Sequence, residues 1–561
     1  MNYQIRVLRV LILCAVIACC PRTTAGTPNS KTAPAEAPNG MVSSAHPIAT
    51  EAGLSILSDG GNAFDAAVAV ASTLNVCEPQ NSGMGGYGII LIYDASKKQI
   101  RVLNSSGRLP SNVDSDVFRT PHPDYLENRK SAKAISTPTN LNAWDALSKN
   151  YGKLEWGELF APAIQAAMEG YEVNGSVAAA IKSNYEKFSD EAKGIYSING
   201  EPLVEGDLLI QQNLADSLIL VAKQGAKALY GGPIGDDIIA TVQEAGSFLS
   251  MEDLERNEAE WWEPIHINYR GHDVYTASPP GNSFSSLIRL GMMENYDVDG
   301  LGHNSVPFLH RFAEVTKHAY WCRLKYAGDP DVAPPPLKKL LSDRYLKKQT
   351  KKLDLKNAST FVPPGVSGSP NGHTTHFVVA DKEGNIVCAT QTIGSGFGSK
   401  VMVKGRGIWL NNSLYFCTFE PKGNPMDAHA GRRKLNSNHP TIILKDGLPW
   451  AAIGTPGGHT IGQSLPQMTM NLIDFGMDVQ NAITAPRVTF KEPNEFTVEE
   501  TISKDLQDAL TNMGHEIGTT KAIGNAHGLT IEYDTHGMPA RFTGGADPRG
   551  KGMAKGLDTI E

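Results

Sequence analysis

The sequence predicts a mixed α/β (α+β) protein in which antiparallel-type strands alternate with helices. Three observations carry that expectation. A hairpin, His373–Asp381 returning through Ile386 to Thr392, flanks a short polar loop with Gly384 where a left-handed residue is needed. An Ala-rich run capped by Asn62 and reaching Asn75 has side chains small enough to pack closely on a sheet. The chain of 561 residues is 41% apolar, enough for a substantial core, and its 55 glycines point to many tight turns.

Taken in order, residues 1–25 read as a secretory signal. Arg6 and Arg9 precede an apolar run, Val10 to Cys20, that is too short for a membrane span. The chain is therefore expected in a periplasmic or extracellular space. Two processing sites compete: Thr23-Thr24-Ala25 suits ordinary cleavage before Gly26, whereas Val16-Ile17-Ala18-Cys19 resembles a bacterial lipoprotein box that would leave Cys19 as a lipid anchor. Residues 26–39 read as a disordered spacer. The formal charge of −8, with no extended acidic or basic tail, gives no reason to expect a nucleic-acid partner. Outside the signal lie Cys77, Cys322, Cys388 and Cys417. Their spacing offers no metal site, and they are expected as buried thiols, with a Cys388–Cys417 bridge as the alternative.

The globular part starts near Asn39, where Ser43–Gly53 opens a helix broken at Gly60-Gly61. The glycine-rich run Glu78–Gly88 precedes a strand, Ile89–Tyr93. With no Gly-Lys-Ser/Thr after it, the run reads as close backbone packing rather than a phosphate loop. Helix is expected within Ser136–Gly170, strands within Trp261–Tyr275, a helix near Ser286–Glu294 and a long one from Val306 to Ala327. The basic stretch Arg344–Lys352 reads as a solvated helix face.

The chemistry concentrates at the mouth of the hairpin. If Asp381 faces Asn385, Thr374 lies directly across from Thr392, with Cβ atoms roughly 4.5–5.5 Å apart; a one-residue bulge would break that register. Upstream, Val362–Gly372 is dense in Gly, Pro, Ser and Asn and reads as an exposed loop. A Thr hydroxyl can attack the carbonyl of the residue before it through a five-membered ring. Water then cuts the ester, and the α-amine released has an unperturbed pKa of about 7.7–8.0, suited to serve as base for its own hydroxyl.

His373–Thr392 resembles the nucleophile hairpin of the γ-glutamyltransferase (γ-glutamyltranspeptidase, glutathione hydrolase) family of N-terminal-nucleophile hydrolases, and the likeness extends over roughly residues 40–550. It implies a four-layer αββα sandwich made as a proenzyme, with a large subunit, 40–373, and a small subunit, 374–561. It also implies Thr374 as nucleophile and Thr392 as the supporting hydroxyl. Gly457 and Gly458 of Gly454-Thr455-Pro456-Gly457-Gly458 correspond to the oxyanion loop, and Asn436 and Ser437 to the pair that binds the substrate α-carboxylate.

Two departures stand out. The family arginine that grips the α-carboxylate aligns with Ser106, leaving Arg108 displaced by two positions. The family acid for the α-amino group aligns with Phe416, and Ser413 replaces a glutamine. The resemblance thus implies an amidohydrolase or acyltransferase that needs no cofactor or metal. Its partners would be a small amide and water or an amine acceptor. γ-Glutamyl transfer or glutathione hydrolysis stands beside an acylase-like reaction on a different amide, and an uncleaved secreted pseudoenzyme or binding protein is the reading of another class.

Overall fold

The computed structural model describes residues 33–366 and 372–558. The signal, the lipid-anchor candidate Cys19 and the first half of the 26–39 spacer lie outside the described residues, as does part of the loop before the hairpin, residues 367–371. No described helix is long and apolar enough to cross a membrane.

Two seven-stranded antiparallel sheets form the centre. The first orders Met553–Gly556, Gly40–Ser44, His373–Asp381, Ile386–Gly394, Tyr87–Asp94, Gln99–Ser105 and Glu260–Trp262. The second orders Ala35–Ala37, Pro539–Ala546, His527–Tyr533, Leu448–Gly454, Thr441–Lys445, His272–Thr276 and Ile265–Tyr269. Side chains alternate across a strand, and the alternation builds the layers. Val378, Ala380, Ile386 and Cys388 point toward Ile442, Ala452, Leu529 and Phe542 of the other sheet and form the core between sheets. Their neighbours Phe377, Val379, Val387 and Ala389 turn the opposite way, onto the helix Ala63–Cys77 and its companions. On the far side, Phe284–Met293, Val306–Tyr326 and Ile461–Ile473 cover the second sheet. The result is helix, sheet, sheet, helix, as expected.

Local signals explain the element ends. Asn62 and Asp65 close a capping box on Ala63–Cys77, and Ser305 caps Val306–Tyr326. The stretch Arg344–Lys352 contains the helix Asp343–Thr350, whose Arg344, Lys347 and Lys348 are exposed. Three expectations need correction. Residues 40–44 form a central strand, so the first helix starts only at Pro47. The spacer is shorter than expected, because Ala35–Ala37 pairs with Phe542–Gly544. Gly405–Phe416, which the family resemblance makes a strand and substrate loop, instead forms an isolated bridge from Trp409 to Met402 and a short 3₁₀ turn, Ser413–Phe416. The four cysteines of the globular part are free, buried thiols.

The glycine-rich run packs as its composition implied. A Cβ on Gly86 would lie 2.2 Å from the carbonyl oxygen of Thr392, and one on Gly85 would lie 2.1 Å from that of Trp409. Backbone therefore meets backbone at the end of the hairpin. Gly86→Ala is expected to destabilise the fold by about 1–3 kcal/mol and to displace Thr392. Gly194→Ala, at a helical site with nothing within 4 Å, is expected to be neutral or slightly stabilising. Thermal unfolding of the two variants checks the contrast.

Candidate active site

The hairpin keeps the expected register along most of its length. Thr375 pairs with Gln391, and the ladder runs regularly to Ala380 with Ile386. At the mouth it shifts, with His373 opposite Gly394 and an irregularity between His373 and Thr375. Thr374 and Thr392 are therefore not a simple cross-strand pair. The bulge re-aims the groups: the Thr392 hydroxyl donates to the carbonyl oxygen of His373, the acyl half of the peptide that joins His373 to Thr374. Thr392 Oγ1 is itself held by the Gly394 N–H at 2.7 Å.

The strand is fixed from beneath. The Thr375 hydroxyl donates to Glu78 Oε2 at 2.6 Å, and Asn81 Nδ2 donates to Glu78 Oε1 at 3.1 Å. His376 Nδ1 meets Thr390 Oγ1 at 2.8 Å. Thr375 and His376, which follow Thr374, are completely buried.

Thr374 and Thr392 share one cleft with Gly458, Asn436 and Ser437. Gly372 and His373 themselves line it. Gly457 and Gly458 have φ of +134° and +61°, a backbone that favours glycine. A Cβ on Gly457 would lie 2.4 Å from Thr460 Oγ1. The two glycines lead into Gly458–Thr460 and the helix Ile461–Ile473, so the cleft faces the positive end of a helix. Amide groups there suit a carbonyl oxygen that gains negative charge.

The other candidates are less uniform. Asn436 is buried and donates to Ser106 Oγ at 3.2 Å, while Ser437 Oγ accepts from Asn282 Nδ2 at 3.4 Å. Ser413 is buried in the 3₁₀ turn and is not among the residues lining the cleft. Arg108 is also absent from that lining and pairs with Glu260 at 3.0 Å. The same carboxylate engages Arg433. Phe416 does line the cleft, against Gly372.

Two lining residues escaped the sequence reading, Lys434 and Arg323. In sequence, Lys434 ends a basic Arg432-Arg433-Lys434 run that resembles a solvated surface, and Arg323 reads as an ordinary cation in a helix's last turn. Both are 2% exposed. Burial pushes the Lys434 ammonium down to about 7. His310, Glu314 and His515 bring potential metal-ligand atoms within 4.8 Å of one another. None of them lines the cleft, and Glu314 already pairs with Lys317 at 2.7 Å.

Comparison with known proteins follows the same outline. Residues 49–557 match the family model described as gamma-glutamyltranspeptidase. A glutathione hydrolase proenzyme of Bacillus subtilis (strain 168) is 33% identical over 543 residues, 93% of this chain and 92% of that one. An acylase ACY 1 proenzyme of Pseudomonas sp. (strain V22) is 33% identical over 536 residues, 91% of this chain and 95% of the other. The crystal structure of cephalosporin acylase from Bacillus halodurans superposes with a TM-score of 0.85 at 29% identity, covering 97% of this chain and all of that one.

Glu78 gives the site a measurable pH signature. Burial raises its carboxyl from 4.5 to about 7, so the folded chain holds a proton that the unfolded chain has released. That contribution to stability is complete below about 4.5 and is lost as pH rises through about 7. Urea unfolding across this range is expected to show a decline in stability that Glu78→Gln flattens.

Proposed function

The chain belongs to the gamma-glutamyltranspeptidase family, and from that premise we propose that it cuts its own His373–Thr374 peptide and then uses Thr374 as the nucleophile of an amidohydrolase or acyltransferase. The observation that carries this reading is the Thr392 hydroxyl donating to the His373 carbonyl oxygen. It polarises the bond to be cut and shields the charge that develops on attack.

Thr374 Oγ1 adds to the His373 carbonyl carbon, its proton passing to the Thr374 nitrogen as the C–N bond breaks. The acyl group now sits on oxygen, and water hydrolyses the ester to a His373 carboxylate and a free Thr374. The products are a large chain of about 26–373 and a small chain of 374–561. Both sheets draw strands from each, so the two remain joined as one globular unit. Departure of Gly372 and His373 opens the cleft. In turnover the Thr374 α-amine takes the hydroxyl proton and Oγ1 attacks a substrate amide. The N–H groups of Gly457 and Gly458 hold the oxyanion, and the proton leaves with the amine. The acyl-threonine ester passes to water or to an acceptor amine.

Overall likeness to glutathione hydrolase proenzymes favours γ-glutamyl amides. The cleft favours the acylase reading, because Arg108 is committed to Glu260 and Phe416 stands where a carboxylate would meet an ammonium group. Asn436 and Ser437 then orient the acyl chain by hydrogen bonds. Such chemistry fits an exported enzyme acting in the periplasm or outside the cell.

Denaturing electrophoresis is expected to resolve two fragments from the wild type and a single band from Thr374→Ala. Thr392→Val, losing one oxyanion donor, is expected to slow fragment formation by about 10²–10³. Retention of one intact band by the wild type would overturn the reading. Assay of glutamate released from glutathione against release from a panel of acyl amides then separates the two substrate classes.

A further inference from the structure

The basic stretch Arg344–Lys352 is more than a solvated face. Arg344, Lys347 and Lys348 lie on one side of the helix Asp343–Thr350. Tyr345 and Gln349, at i and i+4, share another side, and with Lys352 just past the helix end they line a groove of ≈ 500 Å³. The helix Val306–Tyr326 supplies the facing wall through His318, Trp321 and Tyr326. Phe361 adds a third wall, its ring held by Tyr320 at 5.7 Å and by Phe490 at 5.1 Å. Four aromatic rings and a few polar groups in a space of this size are the makings of a small-ligand site. The groove shares no lining residue with the cleft that holds Thr374.

Charge in the groove is one-sided. Among the described lining residues Glu314 is the one acid, and it is already engaged. Lys317 Nζ donates to its Oε1 at 2.7 Å, the Ser359 N–H donates to the same oxygen at 3.2 Å, and the Ser359 hydroxyl donates to Oε2. Asp354, beside the lining residue Leu353, accepts from the N–H groups of Lys356 and Asn357 and does not line the groove. Lys352 Nζ donates to the neutral Gln349 Oε1 at 3.0 Å, and neither Lys352 nor Lys339 has an ion-pair partner among the described residues. The Lys352 charge is felt inside: His318, which meets Tyr345 Oη at 3.1 Å, is held down to about 4 by burial and then by Lys352. A third ammonium, Lys325, lies 4.8 Å from the centre of the Trp321 ring. Rings within and unmatched ammonium groups beside them fit a flat apolar body that carries one negative charge.

We propose that this groove binds a small planar aromatic carboxylate, its rings against Trp321, Tyr345 and Phe361 and its acid group at Lys339 and Lys352. The site goes beyond the amide chemistry at Thr374 and holds whether or not the chain cuts itself. Lys339 and Lys352 are both exposed, so their attraction is screened by water and salt. Affinity is therefore modest and falls as salt rises, while burial of the ligand's rings supplies the part that salt leaves untouched.

The test is calorimetric titration of the purified full chain with 2-naphthoate and with its uncharged counterpart 2-naphthamide, each at low and high salt. Wild type is expected to bind naphthoate about tenfold more tightly than naphthamide at low salt, with the gap narrowing at high salt. The double variant Lys339→Met, Lys352→Met keeps both side-chain lengths and removes both charges. It is expected to erase the gap while leaving naphthamide binding, fragment formation and turnover unchanged. Trp321→Leu is expected to weaken both ligands by about tenfold. Because neither lysine touches the Thr374 cleft, loss of the gap in the double variant places the anion in the groove and not in that cleft. Equal affinity for the two ligands, a preference that survives in the double variant, or no saturable binding of naphthoate below about 1 mM would overturn the proposal. A wild-type dimer that Trp321→Leu dissociates would assign the groove to a second copy of the chain and overturn it as well.

Discussion

The hydrogen bond from Thr392 to the His373 carbonyl is the constraint around which the molecule is arranged. It forms where the hairpin departs from regular pairing at its mouth, a place held by several contacts. Gly86 leaves room for the Thr392 carbonyl, Gly394 holds the Thr392 hydroxyl, and Glu78 with Asn81 ties down Thr375. The two central strands sit in the middle of a sheet, covered by helices on one face and by a second sheet on the other. A bulge at an exposed edge would be free to relax; here both flanks are packed.

Much of the architecture is legible in the sequence because its signals are local. Asn62 at the head of an Ala-rich run and Gly384 in a polar turn each act over a few residues, and each appears as read. The regular part of the hairpin follows from its turn, so Thr375 to Ala380 pair as counted. The shift at Thr374 does not follow from the turn, and groups distant in sequence such as Gly86 pack against that end of the hairpin. Strand Gly40–Ser44 was hidden for the same reason: its partners are His373–Asp381 and Met553–Gly556.

Thr374, Thr392 and Gly458, singled out in the sequence, lie in one cleft, whereas the cations beside them were not singled out. Arg108 drew attention by lying near an aligned position, yet Glu260, 152 residues away in sequence, captures it. Lys434 and Arg323 look like surface cations when read alone and acquire meaning only when the sheets and the Val306–Tyr326 helix close around the cleft. Charge in such a pocket is strong because little water screens it.

The central claim is that bond cleavage is intramolecular and begins at Thr374. Intact-mass spectrometry of freshly purified uncut protein, followed in time at two concentrations tenfold apart, tests it directly. The account requires one first-order constant at both concentrations and a small chain whose first residue is Thr374. A chain that stays whole, a cut at another peptide bond, or a rate that scales with protein concentration would contradict it.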